Sequence, residues 1–345
     1  MASSADSPAI PQKAVRMQPM GLSAGAPLSR IDGPLDALAL VQSDLAECEQ
    51  ALQELVQSDV AEVPAIAGYL LDAGGKRLRP ALTALGARAV GTQSPVSRLM
   101  CVGELIHLGS LLHDDVVDDA LVRRGRVAAH RIEGAATTVL TGDFCLARAV
   151  LLAAEEGGYR CVTELARAVT EMAEGEVLQL RNAGNLHSSL EDYLDVVDRK
   201  SAALIAWCAS AGALARGEFA SAEALASFGR AVGRAFQVTD DVLDYATGTG
   251  KDPGADLREG KLTLPLIYAF ERDPGLRDEI SQGLTDAAQL ESWMQRVRDA
   301  GGLQRALDDA HRWVDEGVKA LSALPKSPYR DGLAVLGRYL VERTG

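Results

Sequence analysis

From Leu35 onward, apolar residues return every three or four positions, the mark of helices that each lay one face on a core. Leu38, Val41, Leu45, Cys48, Leu52 and Leu55 form the first stripe. Others run through Ala81–Val90, Leu99–Leu112, Ala135–Ala154, Val162–Leu180, Leu190–Leu214, Ala222–Leu243, Leu262–Phe270 and Leu303–Leu324. Turn signals separate them at Gly74-Gly75, Gly91 to Pro95, Gly157-Gly158, Gly248 to Gly254 and Pro274-Gly275. No segment alternates as a strand would, and no short repeat is present. Ala-, Leu- and Glu-rich helices without strands predict one all-α domain over residues 35–345, packed helix on helix. Residues 1–34 differ: Pro8, Pro11, Pro19, Pro27 and Pro34 sit among Ser, Ala and Gly with no period, which reads as a disordered leader.

Bulk composition narrows the function. Of 345 residues, 47% are hydrophobic and 24% charged, ordinary for a soluble globular chain. A net charge of -13 argues against nucleic acid, whose phosphates demand surplus Lys and Arg. It leaves open a small phosphorylated ligand, reached through local cations or divalent metal. Cys48, Cys101, Cys145, Cys161 and Cys208 are odd in number and never spaced C-x-x-C, so buried free thiols in a reducing cytoplasm are expected. The apolar run Ser201–Ala215 is too short to span a bilayer, and no stable membrane insertion is expected.

Candidate chemistry begins at Leu111-Leu112-His113-Asp114-Asp115-Val116-Val117-Asp118-Asp119, which continues an apolar helix. At about 100° per residue, Asp114 and Asp118 lie about 40° apart on one face, where like charges repel. A second D-D-x-x-D, Asp240-Asp241-Val242-Leu243-Asp244, repeats the arrangement far away in sequence, with Gln237 one turn earlier. One such cluster reads as a solvated acidic face. Two suggest opposite walls of a cavity, bridged by Mg²⁺ that takes further ligands from water and phosphate.

Cations are placed to match. Gly74-Gly75-Lys76-Arg77-Leu78-Arg79-Pro80 sets three on a turn entering a helix. Arg123-Arg124-Gly125 follows the first acidic cluster, either as phosphate ligands or as counter-charges for Asp118 and Asp119. His107 lies in an apolar run two turns before that cluster, as a core residue or a binder. Lys200-Ser201, Lys251 and Lys261 come later.

Seven ordered motifs together resemble the trans-isoprenyl diphosphate synthase (polyprenyl synthetase) family. They are GGKRLRP (74–80), ELIHLGSLLHDDVVDDALVRRG (104–125), TGDF (141–144), GEVLQL (175–180), RKSA (199–202), AFQVTDDVLDY (235–245) and GADLREGKLTLPLIYA (254–269). The resemblance covers about residue 35 to the C-terminus. It implies an isoprenoid-synthase helix bundle around a deep central cavity, usually a homodimer. It also implies Mg²⁺-dependent condensation of isopentenyl diphosphate with an allylic diphosphate such as farnesyl or geranylgeranyl diphosphate. On that pattern Asp114, Asp115, Asp118, Asp240, Asp241 and Asp244 form the two metal motifs, with Asp114, Asp118 and Asp240 on the metal. Arg123, Lys200, Ser201, Gln237, Lys251 and Lys261 match positions around the allylic diphosphate. Lys76, Arg79, His107 and Arg124 match the isopentenyl diphosphate pocket. Ser201 stands where Thr is common, with the hydroxyl kept.

In this family the product tunnel starts beneath the first aspartate motif, and bulk one turn upstream shortens the product. Gly109 and Ser110 are small, so a chain longer than geranylgeranyl is expected, unless they only permit close helix packing. The alternatives are a shorter-chain synthase, a class I terpene cyclase, or a non-catalytic partner subunit. The second D-D-x-x-D speaks against the cyclase, and the intact acid motifs against the partner subunit.

Overall fold

The computed structural model describes residues 31–75, 77–246 and 253–342, all in the unit that begins at Ile31. Lys76, Lys251 and the leader up to Arg30 lie outside the described residues. Helices α1 (Pro34–Ala39), α2 (Gln42–Leu55), α3 (Glu62–Leu71) and α4 (Leu78–Ala89) lead into α5 (Ser97–Val117). A two-residue hairpin follows, β1 (Val122–Arg123) antiparallel to β2 (Arg126–Val127), then α6 (Ala129–Glu133) and α7 (Ala135–Asn182). Next come α8 (Leu190–Val197), a π-helical turn over Asp198–Ala202, α9 (Ala203–Ala215) and α10 (Phe219–Leu243). The remainder is α11 (Ala255–Arg258), α12 (Leu264–Arg272), α13 (Pro274–Ser281), α14 (Ala287–Asp299), α15 (Gly302–Ala320) and α16 (Pro328–Glu342).

The all-α expectation holds, apart from a hairpin too short to leave an alternating pattern. Its turn residues Arg124 and Gly125 have φ of 51° and 74°, the left-handed pair that a tight hairpin turn requires. Gly157-Gly158, read from sequence as a helix break, is instead a kink inside α7: Gly158 has φ 71° and helix resumes directly.

Helix α9 is buried on every side from Ala203 to Ala213, which explains its lack of a polar face. Its small residues let α4 approach closely. A Cβ on Gly86 would lie 2.2 Å from the Ala209 carbonyl oxygen, and one on Gly212 would lie 2.3 Å from the Ala87 Cβ. The main core gathers α2, α4, α5, α7, α9 and α10 around Leu52, Leu82, Met100, Ile106 and Phe228. A separate cluster around Tyr245, Phe270 and Trp293 anchors α12 to α14 beside the end of α10. This packing brings the C-terminal ends of α5 and α10 and the π-helical turn into one region.

Candidate active site

Both acidic motifs stand at helix ends rather than in mid-helix. Helix α5 stops at Val117 with Asp118 as its C-cap, and α10 stops at Leu243 with Asp244 in the same role. Carboxylates here face unpaired carbonyls at the negative pole of the helix dipole. Each cluster is therefore unfavourable twice over, by mutual repulsion and by position.

The second aspartate of each motif is held by protein. Asp115 is fully buried and accepts from Arg123 Nε at 2.5 Å. Arg123 is thus the counter-charge of Asp115, not of Asp118 or Asp119; Asp119 instead pairs with Arg131 at 2.6 Å. Asp241, also buried, accepts from the Tyr193 hydroxyl at 2.6 Å and from Gln237 Nε2 at 3.0 Å. Asp244 accepts from the backbone N–H groups of Ala255 (3.2 Å) and Asp256 (3.1 Å), which ties the end of α10 to the start of α11. Asp115, Asp241 and Asp244 therefore build the walls, while at the end of α5 Asp114 is half-buried and Asp118 is exposed. Burial raises the Asp114 carboxyl to about 6, and Glu176 and Asp118 add to the shift against the opposing pull of Lys200.

The π-helical turn joins the walls. Lys200 pairs with Glu176 of α7 at 2.5 Å on the first side. Ser201 donates to Gln237 Oε1 at 2.9 Å on the second, and Gln237 leads on to Asp241. Gly175 makes room for this turn, since a Cβ there would lie 2.6 Å from the Lys200 backbone nitrogen. Bulged helical turns of this kind recur at functional sites. Lys261 pairs with Asp256 at 3.2 Å beside the second wall.

A different electrostatic balance holds around His107. Arg79 Nε is buried without a hydrogen-bond partner among the described residues. Arg124 donates to two backbone carbonyls, Gly74 (2.6 Å) and Leu70 (3.2 Å). Its guanidinium is pushed below the ordinary Arg range by burial, with Arg77, Arg79 and Arg123 adding repulsion. Burial, then Arg79, Arg124, Arg123 and Arg77, hold His107 well below the ordinary imidazole value, so the ring is neutral. Arg77 takes a structural role: it forks onto Glu49 at 2.7 Å and reaches Glu104 at 3.0 Å. Arg77 and Arg124 both have positive φ, 47° and 51°, a conformation costing a bulky residue about 1–2 kcal/mol. Glu49 and Glu104 answer Arg77, while Arg79 and Arg124 form no ion pair among the described residues.

The two small residues ahead of Asp114 separate. His107, Ser110, Leu111 and Asp114 are the part-buried positions of one stripe on α5, within about 100° of one another. Gly109 is on the far side, where a Cβ would lie 2.9 Å from the Gly142 carbonyl of α7 and 3.2 Å from Leu146. The expectation that Gly109 opens a tunnel is corrected: it lets α5 and α7 pack, and Ser110 alone shares the stripe with His107 and Asp114. A groove of about 330 Å³ between α7, α9 and α10, lined by residues such as Trp207 and Phe219, contains none of these side chains.

Does the donor set fit a divalent cation? The donors are carboxylate oxygens, the preference of Mg²⁺ and Ca²⁺. Asp115 Oδ2 is buried with no partner among the described residues, an acceptor free to take a donor or a hydrated ion. Yet among the described residues no three acid, His or Cys side chains converge on one point. Bound metal would thus take its other ligands from substrate and water. The residues fit a metal that arrives with a phosphorylated ligand.

Comparison with known proteins decides the family. Residues 60–298 match the polyprenyl synthetase family along most of the chain. The chain belongs to the polyprenyl synthetase family. It is 36% identical over 314 residues to octaprenyl diphosphate synthase of Escherichia coli (strain K12), covering 88% of this chain and 97% of that protein. It is 35% identical over 323 residues to an all-trans-nonaprenyl-diphosphate synthase (geranyl-diphosphate specific) of Rhodobacter capsulatus, covering 91% and 99%. The polyprenyl synthase of Caulobacter crescentus CB15, solved with calcium and isoprenyl diphosphate, superposes with a TM-score of 0.85 at 39% identity, covering 92% and 100%. This polyprenyl synthetase is accordingly a trans-prenyltransferase with the all-α isoprenoid synthase fold, similar to medium- and long-chain synthases. Glu176 and Asp256, which lie in the GEVLQL and GADLREGK motifs, complete its acidic walls with Tyr193, which lies in no quoted motif and is singled out only by its contact with Asp241.

Proposed function

We propose that this polyprenyl synthetase condenses isopentenyl diphosphate with farnesyl or geranylgeranyl diphosphate, giving an all-trans product longer than geranylgeranyl diphosphate. The observation that carries the reading is the contrast between the two charged sites. Near the acidic walls Arg123, Lys200 and Lys261 already have carboxylate partners. Among the described residues eight carboxylates (Asp114, Asp115, Asp118, Glu176, Asp240, Asp241, Asp244 and Asp256) outnumber these three cations and Arg258, which acts on Asp244. A diphosphate enters such a site only with divalent cations. Around His107, Arg79 and Arg124 form no ion pair among the described residues and take a diphosphate directly.

The residues divide the work accordingly. Asp114, Asp118 and Asp240 would hold Mg²⁺, which when bound neutralises the allylic diphosphate as it leaves. Lys200, Arg123 and Lys261 add fixed positive charge around that diphosphate and lower the cost of C–O ionisation. Arg79, Arg124 and neutral His107 orient the isopentenyl diphosphate so that its double bond meets the allylic cation. The departing diphosphate takes the proton released afterwards, so His107 serves as a binder. Ser110, one turn above Asp114, keeps the path for the growing chain open.

The enzyme works as a homodimer in the cytoplasm. Support for the dimer is the apolar surface of α7, where Leu140, Leu151, Tyr159 and Val177 are exposed. That helix is long and apolar enough to cross a membrane by composition alone, and a second copy gives the same surface a protein partner. Support for a reducing compartment is the five free, buried cysteines. Diphosphate release by EDTA-treated protein given isopentenyl and farnesyl diphosphates tests the metal assignment. Release should be absent until Mg²⁺ is restored; turnover in EDTA would overturn it.

A further inference from the structure

Tyr193 is the least expected member of the site. It lies on α8, whose apolar stripe packs it against the core formed by Val197, Val238 and Tyr268. Its hydroxyl is buried and donates to Asp241 Oδ2 at 2.6 Å. The other oxygen of Asp241 accepts from Gln237 Nε2 at 3.0 Å. With its amide nitrogen turned toward Asp241, Gln237 points its carbonyl oxygen away from that carboxyl. That carbonyl meets Ser201, whose single O–H it takes at 2.9 Å. Four side chains therefore form one directed chain, Tyr193 to Asp241 and Ser201 through Gln237 to Asp241. It spans α8, the π-helical turn and the last turns of α10.

The chain has a consequence for ligand binding. With its proton spent on Gln237, Ser201 has no donor left for a phosphate unless the chain breaks. Gln237 keeps one N–H beyond the one given to Asp241. The arrangement thus fixes which donors the second wall offers, and it fixes the π-helical turn that carries Lys200 to Glu176 on the first wall.

We infer that Tyr193 is a positioning residue for diphosphate binding: it locks Asp241 and, through Gln237 and Ser201, sets the distance between the two acidic walls. This inference rests on the proposed function and concerns a residue that touches neither substrate nor metal. Removing the hydroxyl leaves Asp241 Oδ2 buried without its donor, and the carboxylate then turns to recover one. Gln237 follows, and the π-helical turn loses its tie to α10.

The test uses the full-length protein, Tyr193→Phe, and inorganic diphosphate with Mg²⁺ as the probe, followed by titration calorimetry. The dissociation constant should rise about tenfold, equivalent to about 1.4 kcal/mol. In parallel, kcat/KM for farnesyl diphosphate should fall by a similar factor while KM for isopentenyl diphosphate stays unchanged. A merely structural tyrosine would lower the melting temperature and the binding stoichiometry without changing the dissociation constant, and that result overturns the inference. Ser201→Ala and the double variant give a second check. If the chain acts as a unit, the two losses in affinity are strongly non-additive; additive losses overturn it. Wild type run alongside separates the two claims: failure of wild type to bind the probe sinks the proposed function itself, and the inference with it.

Discussion

Gly109 and Ser110 are adjacent and both small, yet the structure gives them opposite consequences when enlarged. In Gly109→Ala the new methyl would lie 2.9 Å from the Gly142 carbonyl oxygen and 3.2 to 3.3 Å from Leu146. Ordinary C···O contacts begin at about 3.3 Å, so α5 and α7 must part by about 0.4 Å. Overpacking of this kind costs about 1–3 kcal/mol, and the better helix propensity of Ala returns about 1 kcal/mol. The net loss is about 1 kcal/mol, or about 1–2 °C in melting temperature for a chain of this size. Product length should not change, because the methyl points into the α5–α7 contact and away from the stripe of His107 and Asp114. Ser110→Phe sits on that stripe, and its product should stop at or below geranylgeranyl diphosphate. Differential scanning fluorimetry and mass spectrometry of dephosphorylated products read both effects. Shortening by Gly109→Ala, or an unchanged product from Ser110→Phe, would refute the division between a packing face and a cavity face.

Three further predictions follow from the charges. Arg124→Ala should raise KM for isopentenyl diphosphate about tenfold or more, as loss of a charged phosphate contact does, and leave KM for the allylic substrate nearly unchanged; steady-state kinetics with each substrate varied checks this. Arg77→Ala strips Glu104, 9% exposed, of its ion pair and should cost about 3 kcal/mol; Glu104→Gln in the same chain should recover much of it, and equal melting temperatures for the single and double variants would refute the pairing. Asp114 has its carboxyl raised to about 6 by burial, so the folded state holds its proton more tightly than the unfolded chain does. Its stabilising effect is complete below about pH 4 and is lost as pH rises to about 6, roughly 2 kcal/mol without metal. Asp114→Asn should therefore melt progressively above wild type between pH 4 and 7, a gap that Mg²⁺ with inorganic diphosphate closes; a pH-independent gap in calorimetry would contradict the assignment.

Helical periodicity was enough to read the fold class, because α2, α10 and α15 each bury one stripe and leave the rest polar. The acidic motifs were legible for a related reason: paired carboxylates on apolar stripes have no cheap structural explanation. Other features depended on contacts that sequence spacing does not encode. Asp118 and Asp244 end their helices with no glycine or proline to mark the stop. Arg123 could have answered Asp118 or Asp119, and only the hairpin turn at Arg124-Gly125 directs it to Asp115. Gly157-Gly158 carried a turn signal, but the flanking segments resume as one kinked helix. Gly109 and Ser110 looked equivalent because smallness serves close packing and open space alike; the 100° step between them decides which applies. Tyr193 was silent, since a tyrosine on an amphipathic helix is indistinguishable from core until its hydroxyl is placed.

The central claim is that two acidic walls and a neighbouring arginine pocket extend an isoprenoid chain beyond geranylgeranyl length. The most direct test is to give the purified chain alone Mg²⁺, isopentenyl diphosphate and farnesyl diphosphate, and to size the dephosphorylated products by mass spectrometry. A ladder of five-carbon steps ending beyond the geranylgeranyl product is the predicted result. No product from farnesyl, geranyl or geranylgeranyl primers would contradict the enzyme assignment, and a product ending at or below geranylgeranyl would contradict the open path beside Ser110.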